Sequence, residues 1–542
     1  MDLRVAGSSP VAHPNSFMLH YKIKLLVESA LKEIKIEPEL TFKIDFPPRK
    51  ELGDYSTNAA IICARKTSQE PLNLAKLLVQ KIEEIDRGET FRKLEIASPG
   101  FVNFTLSEKF LQNSLLEIKK QDHAWGKSSK GSGKRVLLEF VSANPTGPLH
   151  VGHGRWAVIG DVIGRLLEAT GYKVEREYYV NNVGKQVELL VESIIALQEG
   201  REVPEGGYGG AYVSALAEKI KNQKLKIKNK EFILDLIIEE QKKTLESLGV
   251  KFDCWFYESE LHEKLKVKWA VEKLHDLGKT FEEDGAIWFK SQELGDDKNR
   301  VLIREDGQPT YFAADIAYHL DKFLRGYDHL IDIWGTDHHG YVPRLKAAMK
   351  VLGQPVEKLE IIIGQLVTLY RGKEPVRMSK RTGEMITLQE VMDEIGVDAT
   401  RFFFSATDVN SHLDFDLELA KKKSHENPVF YVQYAHARIC SILRKTKDQR
   451  PKTEDLFGLT HPAERELMLK LLSWPDVVET AAELRHPHRL TEYGKEVAAV
   501  FHSFYEKCRV LGDSARLFLV DATRITLRNV LELLGISAPE EM

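Results

Sequence analysis

Two histidines and a glycine, His150, Gly152 and His153, close the stretch Ser142-Ala143-Asn144-Pro145-Thr146-Gly147-Pro148-Leu149-His150-Val151-Gly152-His153. Imidazole N–H groups can donate to phosphate oxygens, and the first turn of a helix adds backbone donors and positive potential. Gly152 leaves room for a ligand to approach the backbone. On this stretch alone the two imidazoles, one helical turn apart, could bind phosphate, ligate a metal ion or form a structural pair.

Two further clusters bear on the choice. Arg377-Met378-Ser379-Lys380-Arg381-Thr382-Gly383 gathers cations around a serine, a basic loop suited to polyphosphate. Gly335-Thr336-Asp337-His338-His339-Gly340 follows an apolar strand, where a parallel sheet opens its ligand crevice. A metal-dependent phosphohydrolase would use His150, His153, Asp337 and His338 as ligands. The sequence offers no GxSxG elbow, Walker loop or activated cysteine arrangement.

The flanking elements must position these groups. Val136 to Val141 reads as an interior strand, and Ile159, Val162, Ile163, Leu166 and Leu167 recur at helical spacing until Gly171. Further strands are predicted at Leu330 to Trp334 and Leu359 to Ile363, and the alternation with helices predicts a Rossmann-like parallel sheet. Before it, helical stretches at Leu25 to Ile34 and Leu74 to Ile85 and a strand at Phe101 to Leu106 predict a small α/β domain. The glycine-rich Lys127 to Lys134 reads as a linker. Beyond Phe402 the apolar residues take helical spacing almost throughout. The expected architecture is therefore multidomain α/β: an accidental or disordered extension at 1–17, an N-terminal α/β domain at 18–126, a catalytic domain at 127–402 with an insertion at about 185–300, and an all-α bundle at 403–542. Met18 is expected to be the true start, because Gly7-Ser8-Ser9-Pro10 can be encoded by the T-loop region of an upstream transfer-RNA gene.

Composition narrows the class. The 542 residues are 43% hydrophobic and 29% charged, with a net charge of −4, so nucleic-acid contact must rely on local patches. Cys63, Cys254, Cys440 and Cys508 form no CxxC pair, and neither disulfides nor a structural zinc is expected. No apolar run approaches the roughly 20 residues of a membrane span, and a cytoplasmic protein is expected.

His150-Val151-Gly152-His153 resembles the HIGH signature of class I aminoacyl-tRNA synthetases, and Arg377 to Arg381 resembles their KMSKS loop with arginines in the first and last places. The longer run ANPTGPLHVGH, with Glu139 before it, is similar to the arginyl-tRNA synthetase family. Gly53-Asp54-Tyr55-Ser56-Thr57-Asn58-Ala59-Ala60 resembles that family's additional tRNA-contacting N-terminal domain. Asp398-Ala399-Thr400-Arg401 resembles the DALR pattern that introduces its anticodon-binding bundle. The resemblance implies ATP with Mg2+, L-arginine and tRNA(Arg) as partners, adenylate chemistry followed by transfer to a terminal ribose hydroxyl, and a monomer. Some relatives replace the second-signature lysine with one three residues before the first histidine; here Gly147 holds that position and Lys380 is present.

The resemblance also implies site roles. His150, Gly152, His153, Gly335, Asp337, Gln365, Met378, Ser379 and Lys380 would serve ATP, with Gln365 near adenine. Asn144 would hold the amino acid's backbone groups, and Glu139, Ser142, Tyr311, Asp315 and His338 would complete the arginine site. A guanidinium calls for paired carboxylate bonds, and Tyr311 and Asp315 lie four apart on one helical face. Tyr431, Gln433, Tyr434, His436 and Arg438 are expected to stack on unpaired anticodon bases. The lysines between Lys219 and Lys230 are candidates for the acceptor arm, and Lys421-Lys422-Lys423 for a basic surface. No metal-ligating residues are expected.

Overall fold

The computed structural model describes residues 19–37, 42–222, 230–376, 386–446, 456 and 458–542. The extension 1–17, Met18 and the basic loop Arg377 to Gly383 lie outside the described residues. Five strands, β1 (Arg135–Glu139), β2 (Lys173–Val180), β3 (Cys254–Tyr257), β4 (His329–Gly335) and β5 (Leu359–Gly364), form a parallel sheet in the order β5-β4-β1-β2-β3. Val136, Leu137 and Leu138 are all buried, as expected of a strand covered on both faces. The chain leaves β1 toward β2 through helix α1 (Val151–Ala169) and later returns to the other side of β1 as β4. A crevice therefore opens between the carboxyl ends of β1 and β4. Gly160 lets α1 lie directly on Phe140; an added Cβ would sit 2.3 Å from the ring.

A row of buried carboxylates crosses this sheet. The register sets Asp332 of β4 beside Glu139 of β1, and Glu139 beside Glu177 of β2. Uncompensated charges could not remain there. Compensation comes from one face of helix α2 (Tyr311–Leu324) and the residue that caps it. Lys322, with no exposed surface, donates to Asp332 at 2.7 Å and to Glu139. Arg325 donates to both oxygens of Glu177 at 2.5 and 2.8 Å, and Tyr318 adds a hydroxyl bond at 2.6 Å. His319 Nε2 meets Asp332 at 2.9 Å, and its Nδ1 faces the Asp315 carbonyl at 2.8 Å. Burial opposes ionisation of Asp332 and Glu177, yet the cations and hydrogen bonds hold both carboxyls below their ordinary range. Leading into a parallel strand, α2 runs antiparallel to the sheet, and its first turn with Tyr311 and Asp315 comes out at the crevice.

Elsewhere the sequence reading needs corrections. The strand expected to reach Val141 ends at Glu139, because Val141 and Ser142 take left-handed backbone angles, φ +70° and +40°. The stretch expected as one insertion is divided by β3, which returns to the main sheet. Helices Lys185–Gln198, Ala211–Asn222 and Lys230–Ser247 precede β3, and helices and a small antiparallel sheet follow it. Lys219 and Lys221 end the second of these helices and Lys230 begins the third, while Lys224, Lys226 and Lys228 lie outside the described residues. The helical spacing expected beyond Phe402 is interrupted after helix Val397–Ser405. Leu413–Asp416 is a strand paired in parallel with Val367–Arg371.

The N-terminal part folds helices Leu19–Glu33, Ala59–Thr67 and Pro71–Asp86 against an antiparallel sheet that includes Phe101–Leu106. The C-terminal helices Pro428–Lys445, Pro462–Leu472, Trp474–Leu484, His488–Lys507 and Ser514–Leu534 form the bundle. Arg401 joins the parts: fully buried, it bonds the carbonyls of Leu534 and Leu248 at 2.9 and 3.0 Å and the carboxylate of Asp161 on α1. Among the described residues no helix is long and apolar enough to cross a membrane. Replacing Lys322 by methionine strips the carboxylate row of its central cation. A stability loss of about 3–5 kcal/mol is expected in denaturant unfolding followed by tryptophan fluorescence.

Candidate active site

The loop from β1 to α1 is held at several points. Ser142 donates to Glu139 Oε1 at 2.7 Å and accepts from the backbone of Tyr179 at 3.1 Å. These bonds hold the left-handed turn that a β-branched Val141 would otherwise avoid. The Tyr178 hydroxyl lies 3.1 Å from the Ala143 amide and 3.0 Å from its carbonyl. Gln241, from the helix before β3, donates to the carbonyls of Asn144 and Gly147 at 3.3 and 2.9 Å. Asn144 turns its side chain to Gln186 at 2.9 Å. Pro145, Thr146, Pro148 and the buried Leu149 carry the chain into the helix.

His150 caps α1. Its Nδ1 accepts from the Gly152 amide at 3.1 Å, and His153 Nδ1 accepts from the His150 amide at 3.3 Å, a capping box built from imidazoles. The rings stack with centroids 3.6 Å apart. Gly152 is needed beneath them, since an added Cβ would lie 3.0 Å from the His150 ring. Acceptance at Nδ1 puts each ring proton on Nε2, so both side chains present an N–H donor beyond the helix end. Metal ligation at Nε2 would need that nitrogen unprotonated and the proton moved to Nδ1, at the loss of these bonds, which disfavours the metal reading of this pair.

The chain following the basic segment is fixed beside this cap. Val376 bonds back to Leu369 at 2.8 Å, while Thr387 forms a backbone bridge with His150, and Leu388 donates to the Leu149 carbonyl at 2.8 Å. Met378, Ser379 and Lys380 themselves are outside the described residues.

Sequence reasoning passed over Arg155, one turn further along α1. Completely buried, it donates to the carbonyls of Gln365, Leu366, Asp408 and Ser411 at 2.9 to 3.3 Å. Burial lowers its pKa to about 10. An arginine followed directly by the apolar run Trp156 to Ile159 was the available signal. It sets the end of β5, and with it Gln365, against α1.

Across the crevice, Asp315 accepts from the Tyr341 hydroxyl at 2.5 Å. Burial pushes its carboxyl up to about 6, more than the Tyr341 bond and His319 pull it down, and the nearby charges of Glu258 and Glu139 add to the rise. Tyr311, more exposed, lies over Gly184. Glu139 has Ser142 on one oxygen and Lys322 on the other, linking the loop to the carboxylate row. Glu258 escaped sequence reasoning; buried at the start of a short helix, it adds negative charge near Tyr179, Tyr311 and Asp315. Gly335 ends β4, and Asp337 and His338 lie in the 3-10 turn that follows. The His338 ring sits 5.7 Å from that of Trp334 and 6.2 Å from that of Tyr341. One wall thus carries N–H donors and the other an excess of negative charge, suiting a ligand with an anionic and a cationic end.

Residues 21–106 match the family model of the arginyl tRNA synthetase N-terminal domain, 113–205 and 209–408 that of the class I (R) tRNA synthetase catalytic domain, and 432–542 that of the DALR anticodon binding domain. The arginine–tRNA ligase of Heliobacterium modesticaldum is 46% identical over 541 residues, covering 94% of this chain and 96% of its own length. The chain belongs to the arginyl-tRNA synthetase family. The Moorella thermoacetica arginine–tRNA ligase is likewise 46% identical, over 95% of this chain and 96% of its own. The Thermus thermophilus arginyl-tRNA synthetase structure shares the fold, with a TM-score of 0.77 at 23% identity over 97% of this chain and 100% of that one.

Two expected base-stacking residues of this synthetase have another task. Gln433 is buried and bonds Asp398 and Ser537 at 2.8 to 3.2 Å, and the His436 ring meets the Pro539 carbonyl at 2.9 Å. Both pin the C-terminal tail. Tyr431, Tyr434 and Arg438 lie on the other side of the helix, at i, i+3 and i+7, where the tyrosines meet His425 and His502 and Arg438 covers Tyr505. The expected basic surface is partly neutralised too: Lys421 pairs with Glu394 and Glu418, and Lys422 with Glu426.

The raised Asp315 pKa fixes a sign. The folded state holds this proton more tightly than the unfolded chain, so the group favours folding at low pH and that contribution is lost as pH rises through about 6. Asp315→Asn should therefore stabilise the ligand-free protein at pH 8, by about 1–2 kcal/mol, and have little effect at pH 4, as read by thermal unfolding at the two pH values.

Proposed function

We propose that this arginine–tRNA ligase joins L-arginine to ATP as arginyl-adenylate and passes the arginyl group to the terminal ribose of tRNA(Arg), releasing pyrophosphate and then AMP. The observation that carries the arginine assignment is Asp315, a shielded carboxylate of raised pKa in a crevice enriched in negative charge. A guanidinium there would favour its ionised form and form paired hydrogen bonds. Tyr311 and His338 would line the subsite, Glu139 and Ser142 would position its floor, and Asn144 would meet the amino acid's backbone groups.

In this reading the arginine carboxylate attacks the α-phosphorus of ATP. Negative charge then builds on that phosphorus and on the departing pyrophosphate. The Nε2–H groups of His150 and His153 and the amino end of α1 would stabilise it. Lys380, in a segment followed by Thr387 and Leu388, which are bonded at the His150 cap, would bind the β- and γ-phosphates. Gly152, Gly335 and Gln365 would line the adenosine side, with the backbone of Met378 and Ser379. Asp337 is kept as a polar contact there, and magnesium would enter with the nucleotide. In the second step the terminal ribose hydroxyl, by resemblance the 2′-hydroxyl, attacks the adenylate carbonyl and no side chain is acylated. Tyr431, Tyr434 and Arg438 form the proposed base-stacking surface, worth about 1–3 kcal/mol per stacked base. We further propose a cytoplasmic monomer.

The metal-dependent phosphohydrolase reading loses its support in the tautomer of His150 and His153. An aminoacylation panel of each amino acid with total tRNA should charge arginine alone, and Lys380→Ala should lower ATP–pyrophosphate exchange by orders of magnitude with thermal stability retained. Charging of another amino acid, or exchange unaffected by Lys380→Ala, would overturn the assignment or the lysine's role respectively.

A further inference from the structure

We infer a zinc-binding clip formed by Asp408, His486 and His488, away from the histidine pair of α1. Asp408 lies in the loop after helix Val397–Ser405, and the two histidines flank Pro487 where the chain enters helix His488–Lys507. The residues are far apart in sequence, and the fold brings one ligand atom of each within 4.8 Å of the others. Asp408 Oδ2 is 3.5 Å from His486 Nε2 and 3.7 Å from His488 Nδ1. These separations are long for hydrogen bonds. They are close to the roughly 3.3 Å edge between two ligands that each lie 2.0–2.1 Å from a tetrahedral ion.

The polar partners of these groups favour an ion. Asp408 Oδ1 accepts from the backbone and side chain of Asn410 at 2.8 and 3.1 Å, leaving Oδ2 turned to the imidazoles. His488 Nδ1, the atom facing Oδ2, is buried without a hydrogen-bond partner. A buried nitrogen without a partner is costly unless it gains a ligand. Two imidazoles and one carboxylate suit zinc with an exogenous fourth ligand, whereas magnesium seeks octahedral oxygen coordination. The clip's position gives it a task. The backbone of its acidic arm, the 408–411 loop, accepts from Arg155 of α1 and from the amide of Gln365 at the end of β5. A bound ion would brace that edge of the crevice against the helical bundle.

The full-length protein, stripped with EDTA and dialysed, should bind one zinc per chain by isothermal titration and metal analysis, with magnesium failing to compete. Affinity should fall roughly tenfold or more in both Asp408→Asn and His488→Gln, and zinc should raise the melting temperature of the parent protein but not of these variants. Cobalt in place of zinc should give the visible absorption of a tetrahedral site, lost in His488→Gln. If Asp408→Asn does not fold, His486→Gln serves the same comparison from a half-buried loop position. Absence of zinc binding, or zinc bound equally well by the parent and by every folded variant, would overturn the inference.

Discussion

Three carboxylates side by side in a buried parallel sheet, Asp332, Glu139 and Glu177, are an electrostatic liability that only a correctly seated helix α2 removes. Lys322 and Arg325 reach them from one face of that helix, with Tyr318 and His319 completing the bonds. Displacing α2 would break these charge-assisted bonds together and leave ions unpaired in low dielectric. The row therefore fixes the height and rotation of the helix on the sheet. Asp315 lies on the next turn, bonded through its carbonyl to His319, so the same constraint sets the position of the carboxylate proposed to hold the guanidinium.

The opposite wall is fixed by a second device of the same kind. His150 Nδ1 satisfies the Gly152 amide and His153 Nδ1 the His150 amide, which orients both rings and directs both Nε2 donors away from the helix. Such a cap does structural and electrostatic work at once. Ser142 joins the walls: bonded to Glu139 below and to the Tyr179 backbone beside it, it holds the left-handed turn between sheet and helix. Arg155 extends the bracing to the far end of the crevice, where four carbonyl groups converge on one guanidinium. Preorganisation of this kind keeps donors and charges in place before substrates arrive.

How much of this was legible in the sequence followed the range of the interaction. The strand, loop and helix around His150 were readable because apolar period, turn residues and helix start all lie within a short window. The helix that carries Tyr311 and Asp315 was readable too, from their spacing of four residues. Lys322, Arg155 and Glu258 were not, because a buried ion declares itself only through partners distant in sequence. Gln433 and His436 show the converse error. Alternating aromatic and polar residues looked like one surface, but the helix turns these two toward Asp398 and the C-terminal tail. The strand Leu413–Asp416 was missed because its pairing partner, Val367–Arg371, is also remote.

The division of labour between the two walls is tested most directly by a crystal structure of the full-length protein with a non-hydrolysable arginyl-adenylate analogue. The guanidinium is expected within hydrogen-bond distance of Asp315, and a phosphate oxygen within reach of Nε2 of His150 or His153. A guanidinium bound away from Asp315, or imidazoles turned from the phosphate, would contradict it.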